Sequence, residues 1–396
     1  MTAAAQAAVE PAAGRRVAYR TCSLCEATCG LELTVVDGRV ERIRGDDDDA
    51  FSRGFICPKG ASLGQLHDDP DRLRAPLIRG DDGELREATW PEAYARVAEL
   101  LEPILAEHGP DAVATYIGNP MGQSLSGNLY LRGYHKALGT KQLYTVGTVD
   151  QHPKSLANAL LYGTQFSVAV PDLDRTDHLL LLGANPVVSQ GSLVAAPDIR
   201  TRLRAIRERG GRIVVIDPRR TRTAREADEH HFVRPGTDAF LLAALAATLF
   251  EEGLVAPGRL EEHVSGLDAV RDFCLRFPPE RVAERCGIEA TVVRRLARDL
   301  AAAERAVVYG RCGTTMQAFG TAASWLVDVL NVLTGNLDRP GGAMFSTPAT
   351  GGPTFSGRPR TGPGIEVGRW RSRVAGVPEV LGELTVGVLA EEIATG

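Results

Sequence analysis

Residues 22–29 read CSLCEATC and residues 57–60 read CPKG, so this N-terminal stretch holds four cysteines, Cys22, Cys25, Cys29 and Cys57. Their spacing is C-x2-C-x3-C-x27-C. Three thiolates on a short loop and a fourth that returns later suit a cubane iron–sulfur cluster of the [4Fe-4S] type. The alternative is a structural zinc site, although zinc modules more often carry two C-x2-C pairs. An electron carrier at this position predicts redox chemistry further along the chain.

Between the third and fourth cysteines the sequence predicts a β-hairpin. Residues 31–36 (LELTVV) and 39–43 (RVERI) read as two strands around Asp37-Gly38. An Asp-Gly pair between apolar-rich runs is a strong signal for a two-residue hairpin turn. The hairpin would separate Cys29 from Cys57, and residues 1–16 before this module are predicted to be a disordered tail.

Composition excludes several classes of protein. The 396 residues are 44% hydrophobic and 24% charged, which is typical of a globular chain, and the net charge is −5. We therefore expect no nucleic-acid partner. No apolar run reaches the roughly 18 residues of a membrane span, and no apolar segment follows Arg15-Arg16 to make an export signal. Because the cysteines suit metal binding rather than disulfides, we expect a cytoplasmic protein.

From about residue 90 the pattern changes to alternating helices and short apolar strands. Helices are predicted over 91–108, 124–138, 154–162, 197–209, 237–252, 289–303 and 321–334, and strands over 113–117, 142–146, 178–182, 213–217 and 306–310. Such alternation predicts crossover units and a parallel sheet. The predicted fold class is thus α/β: a small N-terminal iron–sulfur β module followed by doubly wound parallel α/β domains.

The loops that follow these strands are small, polar or rich in turn residues. They cover residues 118–120, 147–151, 183–186, 217–221 and 310–315. In doubly wound sheets, ligands bind outside the carboxyl ends of the strands, so these loops predict a large polar ligand across one edge. Arg219 and Arg220 could bind a diphosphate there. The alternative is a set of ordinary turns; neither a G-x-G-x-x-G nor a P-loop motif follows a strand.

With these motifs in order, the chain resembles the molybdopterin oxidoreductases that carry a [4Fe-4S] cluster and bis-molybdopterin guanine dinucleotide. This family includes formate dehydrogenases, nitrate reductases and relatives of dimethyl sulfoxide reductase. The resemblance covers residues 17–348. It rests on the cysteine module and on the segments G-x-N-P at 183–186, DPR-x-T at 217–221, RPGTD at 234–238, LTGNL at 333–337 and PGG at 340–342.

The resemblance implies roles for individual residues. The four cysteines would hold the cluster, and Lys59 would help electrons pass between cluster and pterin; its alternative is a surface lysine. Asp217 and Asp238 would bind ribose or guanine, and their alternative is a helix N-cap role. The residues implied in cofactor binding are Gly183, Asn185, Pro186, Asp217, Arg219, Thr221, Gly236, Asp238, Gly313, Thr314, Gln317, Gly335 and Asn336.

The metal position is implied by alignment with the formate dehydrogenase pattern, which places Asp150 where the family often has a metal-binding cysteine, selenocysteine, serine or aspartate. An oxygen ligand suits high-valent molybdenum or tungsten and oxygen-atom transfer. The pattern's histidine is replaced by Gln151, which argues against formate oxidation. His152, one residue later, is a candidate proton relay. The alternatives are that Asp150 caps the next helix and that His152 is structural.

The remaining cysteines, Cys274, Cys286 and Cys312, fit no ligand spacing and are predicted to be buried thiols, and Trp325 is predicted to be core. The resemblance implies an iron–sulfur module at 17–75, the first part of an α/β domain at 76–140, a dinucleotide-binding domain at 141–310 and a return to the former at 311–396.

Family members usually run longer and close over a second pterin dinucleotide. The chain has a helix-like run from Val380 to Ile393 and stops at Gly396. We therefore expect either a fragment, inactive by itself, or a partner chain that supplies the rest. The expected function is two-electron oxidation or oxygen-atom transfer on a small substrate, with a redox partner protein. The alternatives are an electron-transfer subunit without metal-pterin and a zinc-stapled binding module.

Overall fold

The computed structural model describes residues 14–191, 193–194, 196–346 and 365–395. The chain forms two compact units. The first unit comprises Met1–Val113, Asn119–Thr140 and Ala195–Asp198, and the second comprises Ala114–Gly118, Lys141–Val194 and Ile199–Gly396. Residues 1–13 of the predicted tail lie outside the described residues. Arg15 and Arg16, which were predicted to belong to that tail, are instead the first residues of strand β1.

The first unit contains five strands and four helices within the described residues. They are β1 (Arg15–Thr21), β2 (Gly30–Val36), β3 (Arg39–Gly45), α1 (Pro58–Ala61), α2 (Leu63–His67), β4 (Leu77–Arg79), β5 (Leu85–Glu87), α3 (Trp90–His108) and α4 (Leu125–Leu138). Strands β1, β2 and β3 form an antiparallel sheet. The predicted hairpin is confirmed: Asp37 and Gly38 join β2 to β3 with φ of 47° and 80°, the positive values that a type I′ turn requires.

The second unit contains most of the chain. Its elements are β6 (Thr115–Ile117), β7 (Leu143–Thr145), α5 (His152–Tyr162), β8 (Ala169–Pro171), β9 (His178–Leu182), α6 (Pro186–Ser189), α7 (Ile199–Glu208), β10 (Arg212–Ile216), α8 (Arg222–Glu226), β11 (Glu229–His231), α9 (Asp238–Glu251), α10 (Leu267–Cys274), α11 (Pro279–Cys286), α12 (Ala290–Ala302), β12 (Ala306–Gly310), α13 (Cys312–Thr315), α14 (Gly320–Leu333), β13 (Ala343–Phe345), β14 (Val367–Arg371), β15 (Pro378–Val380) and α15 (Leu389–Ala394).

A four-stranded sheet in the order β11-β10-β9-β12 is the centre of the second unit. All its neighbouring strands are parallel, as predicted. Leu180, Leu182 and Val308 pack into a core with helices α9, α12 and α14. Leu179 and Leu181, which point to the opposite face, are at most 2% exposed. Both faces are therefore covered, which is typical of a parallel sheet whose crossover helices lie on both sides.

The order of the strands creates a switch point. Strands β9, β10 and β11 follow one another towards one side, and β12 then pairs with the other side of β9. The loops after β9 and β12 are neighbours at this point of the carboxyl edge, and the crevice at a switch point is where doubly wound sheets bind ligands. Parallel strands β6 and β7 form a separate pair with their own carboxyl-end loops.

One prediction for the C-terminal part needs correction. The prediction that the run from Val380 to Ile393 is helical is wrong. Only Leu389–Ala394 is α-helical, and Val380 is the last residue of strand β15. Glu379 in that strand is fully buried against Arg369, so pairing overrides the local helical pattern. Ala343–Phe345, which follows the PGG segment, forms strand β13.

No helix in the described ranges is long and apolar enough to cross a membrane.

Candidate cluster and cofactor sites

The four predicted cluster cysteines come together at one end of the β1–β3 sheet. The Cys22 amide donates to the Cys29 carbonyl across 2.8 Å, which closes the first cysteine loop, and Cys57 directly precedes α1. Cys22 and Cys29 are each 7% exposed, whereas Cys25 and Cys57 are half-buried. The apolar wall around them consists of Leu31, Leu33, Ile43, Phe55, Ile56 and Leu63.

The four thiols are close enough to act on one another electrostatically. Burial, and after it the charges of Cys22, Cys25 and Cys57, raise the pKa of the Cys29 thiol to about 11. Burial likewise raises the pKa of Cys22, and Cys25 and Cys57 add to that rise. Four thiolates so close together need a positively charged centre, because metal binding is what lowers the cost of deprotonating them.

A cubane and a single zinc ion require different spacings of the four sulfurs. Within the described ranges, no group of three or more His, Cys, Asp or Glu side chains lies close enough to hold one metal ion. In a cubane each thiolate binds a different iron, so its four sulfurs stand farther apart than the sulfurs around one zinc.

Lys59 lies in the short helix α1, next to the cysteines. Burial raises the pKa of the Cys22 thiol, and the positive charge of Lys59 opposes that rise. The ammonium is therefore close enough to act on that sulfur. A Cβ at Gly60 would lie 3.7 Å from Cys22 Sγ and 2.9 Å from Ile56 Cγ1. The CPKG sequence thus brings both a positive charge and a side-chain-free backbone to the cluster site.

At the carboxyl edge of the main sheet, the loops after β9 and β12 meet backbone to backbone. The Gly313 amide donates to the Gly183 carbonyl across 3.0 Å. A Cβ at Gly183 would lie 2.6 Å from Gly313 Cα, and one at Gly313 would lie 2.5 Å from Gly183 Cα. Only glycine fits at either position, and Gly183 also has a φ of +54°. The two glycines therefore form the floor of the switch-point crevice.

The loops after β9 and β10 are joined by Asn185. Its Oδ1 accepts from the Thr223 hydroxyl at 2.9 Å and from the Thr223 amide at 3.3 Å. Thr221 caps α8 by accepting from the Ala224 amide at 3.0 Å, and Pro186 is the first residue of α6. These contacts fix the shape of the loops, and Asn185 and Thr221 also face a groove of about 470 Å³.

Arginines dominate the lining of this groove. Arg219, Arg220, Arg222 and Arg225 all line it, together with Asn185, Val188 and Thr221. Guanidinium groups bind phosphate oxygens in pairs, and four of them in one groove match the charge of a diphosphate. Arg219 and Arg220 were predicted at this site from the sequence, but Arg222 and Arg225 were not. The helical spacing of three residues between Arg222 and Arg225 could have indicated them.

Two buried carboxylates lie near each other at the same edge. Asp217 is 9% and Asp238 is 4% exposed. Burial raises the pKa of each, and the charge of Asp217 raises the pKa of Asp238 further. Neither residue is a helix N-cap, since Thr221 and Thr237 occupy those positions. Asp217 Oδ1 accepts from the Arg219 amide at 2.8 Å, and the remaining carboxylate oxygens suit a ligand that donates hydrogen bonds.

The loop after β12 contacts Asp238 through Gln317. The Gln317 Nε2 donates to Asp238 Oδ2 at 2.6 Å and to the Gly313 carbonyl at 2.7 Å, and a Cβ at Gly236 would lie 3.9 Å from Gln317 Oε1. Thr314 is buried, and its hydroxyl donates to the Arg311 carbonyl at 2.8 Å. The predicted residues of these loops are thus brought together.

Two predicted cofactor residues are not at this edge. Asn336 Oδ1 accepts from the amide of Ala306, the first residue of β12, at 3.2 Å. That places Asn336 and the adjacent Gly335 at the amino end of β12, one strand length away from Gly310 and the switch-point loops. Asn336 is 1% exposed, and its amide nitrogen donates to the carbonyl oxygen and the hydroxyl oxygen of Thr334. The role of this motif in the structure is to hold the start of β12.

Asp150 lies in the loop after β7, where the structure brings two donors to one of its oxygens. Arg311 Nη1 donates to Asp150 Oδ1 at 3.0 Å and to Gln151 Oε1 at 2.7 Å. The Cys312 thiol donates to the same Oδ1 at 2.7 Å. Asp150 does not cap α5, because the N-cap position is Gln151. Arg311 and Cys312 were missed as site residues because they come from a distant loop.

The other cysteines and His152 have structural surroundings. Cys274 and Cys286 are fully buried, as predicted, but Cys312 is only half-buried. His152 Nε2 lies 2.9 Å from the Val380 carbonyl oxygen, and its Nδ1 lies 4.0 Å from Glu383 Oε2. Trp325 packs against the main core, as predicted.

The fold and these sites define a doubly wound α/β protein with a four-cysteine module. Residues 72–364 match the family described as molybdopterin oxidoreductase, and residues 16–69 match the molybdopterin oxidoreductase Fe4S4 domain. The chain therefore belongs to the molybdopterin oxidoreductase family. The expectation of a [4Fe-4S] cluster and a molybdopterin cofactor with molybdenum or tungsten is confirmed by these two matches.

Curated relatives and a solved structure agree with this membership. A nitrate reductase of Symbiobacterium thermophilum is 30% identical over 88% of this chain and 47% of its own length. The molybdopterin-containing subunit of a Salmonella typhimurium thiosulfate reductase is 29% identical over 81% of this chain and 41% of its own. Formate dehydrogenase H of Escherichia coli is 28% identical over 81% of this chain and 44% of its own length.

The fold is shared with acetylene hydratase from Pelobacter acetylenicus, with a TM-score of 0.69 and 24% identity over 80% of this chain and 43% of that one. The chain spans less than half the length of each of these four proteins.

Proposed function

We propose that this chain is the cluster- and nucleotide-binding part of a molybdenum or tungsten enzyme that carries bis-molybdopterin guanine dinucleotide. The observation that carries the proposal is the pair of buried carboxylates, Asp217 and Asp238, at the same sheet edge as the arginine groove. Guanine offers two adjacent donors, its ring N–H and its exocyclic amine, which a carboxylate accepts together. The arginines would bind the diphosphate.

The test is the metal and nucleotide content of protein purified without oxygen. We expect molybdenum or tungsten together with guanosine monophosphate released by acid. Protein that binds the cluster but contains neither metal nor guanine nucleotide, even when produced with an intact cofactor pathway, would favour the electron-transfer subunit instead.

For the metal itself, we propose Asp150 as the protein ligand. Arg311 and Cys312 both donate to Oδ1, and this holds the carboxylate in one orientation and directs Oδ2 as the ligand atom. When bound, the metal-pterin group supplies two-electron redox chemistry. The chain's own part is to bind and orient it, and to pass electrons towards the cluster, where Lys59 lies beside Cys22.

The substrate class follows from the donor set. Between Cys57 and Cys274 the sequence has no cysteine, so the loop of Asp150 offers oxygen rather than sulfur. An oxygen donor favours oxygen-atom transfer over formate oxidation, and Gln151 occupies the place of the formate dehydrogenase histidine. We propose reduction of a small oxyanion. Assays of nitrate and thiosulfate reduction with reduced viologen, and of formate oxidation with oxidised viologen, distinguish the relatives' activities, and turnover of formate alone would contradict this assignment.

A further polypeptide segment is proposed to complete the enzyme. Helix α3 has no buried residue, and Trp90, Tyr94, Val97 and Ile104, which lie along one face of it, are 63%, 67%, 48% and 40% exposed. Because this chain matches less than half the length of its relatives, we propose that the remainder of the enzyme covers this face. Tagged protein from native cells should co-purify with a second chain of similar size or belong to a longer form.

The cytoplasmic location also stays a proposal, which cell fractionation tests.

A further inference from the structure

Helices α5 and α14 of the second unit pack against each other along a seam of polar side chains. From α5 the seam receives Lys154, Asn158 and Tyr162, which are four residues apart and share one helix face. From α14 it receives Ser324 and Asp328, which share a face for the same reason. We call these five residues the α5–α14 seam.

The seam is deeply buried. Lys154 is 1%, Asn158 0%, Ser324 2% and Asp328 2% exposed. Lysine and aspartate are rarely buried to this extent unless they are paired. Lys154 acts on Asp328 electrostatically: burial raises the pKa of the Asp328 carboxyl, and the Lys154 charge and the Tyr162 hydroxyl oppose that rise.

Several polar atoms of the seam have no hydrogen-bond partner within the described part of the chain. They are Asn158 Oδ1 and Nδ2, Tyr162 Oη, Ser324 Oγ and Asp328 Oδ2. The Tyr162 hydroxyl lies beside the Asp328 carboxyl, but no well-aligned hydrogen bond joins them. A native core tolerates very few such atoms, and a cluster of donors and acceptors is the setting in which ordered internal water is found.

The two ends of the seam differ in their surroundings. Lys154 lies in the first turn of α5, four residues after Asp150, and its Nζ is 5.8 Å from the ring centroid of Tyr309 in β12. Tyr162 lies at the other end of α5, is only partly buried, and contacts the ring of Phe345 at 5.0 Å. Eight helical residues separate these ends, a rise of about 12 Å.

We propose that the α5–α14 seam is an internal water site and a proton path. Water molecules bound by Asn158, Tyr162, Ser324 and Asp328 connect the protein surface at Tyr162 with the Lys154 amine. Hydrogens of the Lys154 amine exchange with solvent through this water chain. Only the use of the path, proton supply to the loop of Asp150, rests on the proposed function.

The chain's lysine content makes a direct test possible. It has only four lysines, and Lys59, Lys136 and Lys141 are exposed. In protein labelled with ¹⁵N-lysine, the buried Lys154 amine gives its own NMR signal, which Lys154→Met identifies. We expect its hydrogens to be protected from exchange, relative to a free lysine amine, at least tenfold less than the most protected backbone amides of α14 are protected relative to free amides. Asn158→Leu, which interrupts the path, should slow that exchange at least tenfold, and Leu160→Ala, on the exposed side of α5, should leave it unchanged.

A second measurement tests hydration by stability. If the seam holds water, Ser324→Ala removes a bonded hydroxyl and lowers Tm by several degrees. A higher Tm for this variant, Lys154 exchange as slow as global unfolding, or unchanged exchange in Asn158→Leu would each overturn the proposal. Neither readout requires metal or pterin, so a failure here is distinct from a failure of the metal and nucleotide analysis.

Discussion

The Cys312 thiol donates to Oδ1 of Asp150 across 2.7 Å, although 162 residues separate them along the chain. Arg311, next to that cysteine, donates to the same oxygen. The loops after β7 and β12 are therefore joined at the proposed metal ligand. A single carboxylate oxygen that receives two donors has a fixed orientation, and we regard this as the main structural support for Asp150 as a metal ligand.

The first prediction concerns the reactivity of Cys312 in cofactor-free protein. Burial, followed by the hydrogen bond to Asp150, raises the pKa of the Cys312 thiol to about 11. Because the thiolate is the reactive form, alkylation of Cys312 should be slow at pH 8 and should rise about tenfold per pH unit up to about pH 11. Peptide mass spectrometry after iodoacetamide treatment measures this rate.

Asp150→Asn is the matched variant for this prediction. It removes the negative charge that disfavours the thiolate, so Cys312 should react several-fold faster at pH 8. Cys274, which is fully buried away from Asp150, provides an internal control with an unchanged rate. Equal Cys312 rates in the wild type and the variant would show that the contact has no energetic effect.

The second prediction concerns the glycine floor of the crevice. Gly183→Ala places a Cβ 2.6 Å from Gly313 Cα and also strains a positive φ, so it should lower the free energy of unfolding by about 3 kcal/mol. Gly210→Ala is the control, because Gly210 also has a positive φ but has nothing within 4 Å of the added atom. It should cost only about 1 kcal/mol. Urea unfolding measures both values, and equal costs would refute the close approach.

The third prediction separates stability from ligand binding at Asp238. Burial raises the pKa of its carboxyl above the usual 3.8, so the buried charge is costly at neutral pH and that cost is absent below about pH 3.8. Asp238→Asn keeps an acceptor for Gln317 and should therefore raise the Tm of cofactor-free protein at pH 7, with no gain at acid pH. Differential scanning calorimetry across this pH range measures the difference.

The same variant should bind guanine nucleotides more weakly. Loss of a carboxylate acceptor for two donors should reduce the affinity for guanosine diphosphate about tenfold or more, while the weak affinity for adenosine diphosphate stays unchanged. Isothermal titration with both nucleotides tests this. An equal loss of affinity for guanosine diphosphate and adenosine diphosphate would mean that Asp238 does not bind the guanine base.

Much of the fold could be predicted from local sequence patterns. Asp37-Gly38 specifies its hairpin because few residue pairs accept two positive φ values. The apolar runs of β9 and β12 are buried on both faces, which a short continuous hydrophobic stretch indicates. The carboxyl-end loops followed from these strands.

The remainder depended on contacts between distant residues. Strand β1 is mostly exposed and has no alternating pattern, so only its pairing with β2 defines it. The contact of Asp150 with Cys312 likewise has no local signal. Asn336 belongs to a motif that suggests a cofactor, but its hydrogen bond to Ala306 gives it a structural role that only the three-dimensional position of β12 reveals.

The central claim is that Cys22, Cys25, Cys29 and Cys57 bind one iron–sulfur cubane, and it is tested most directly by iron and acid-labile sulfide analysis of protein purified without oxygen. We predict about four irons and four sulfides per chain, lost in Cys25→Ala but retained in Cys286→Ala, whose cysteine lies in the main core. One zinc per chain without sulfide, or a Cys25→Ala variant with full iron content, would contradict the account.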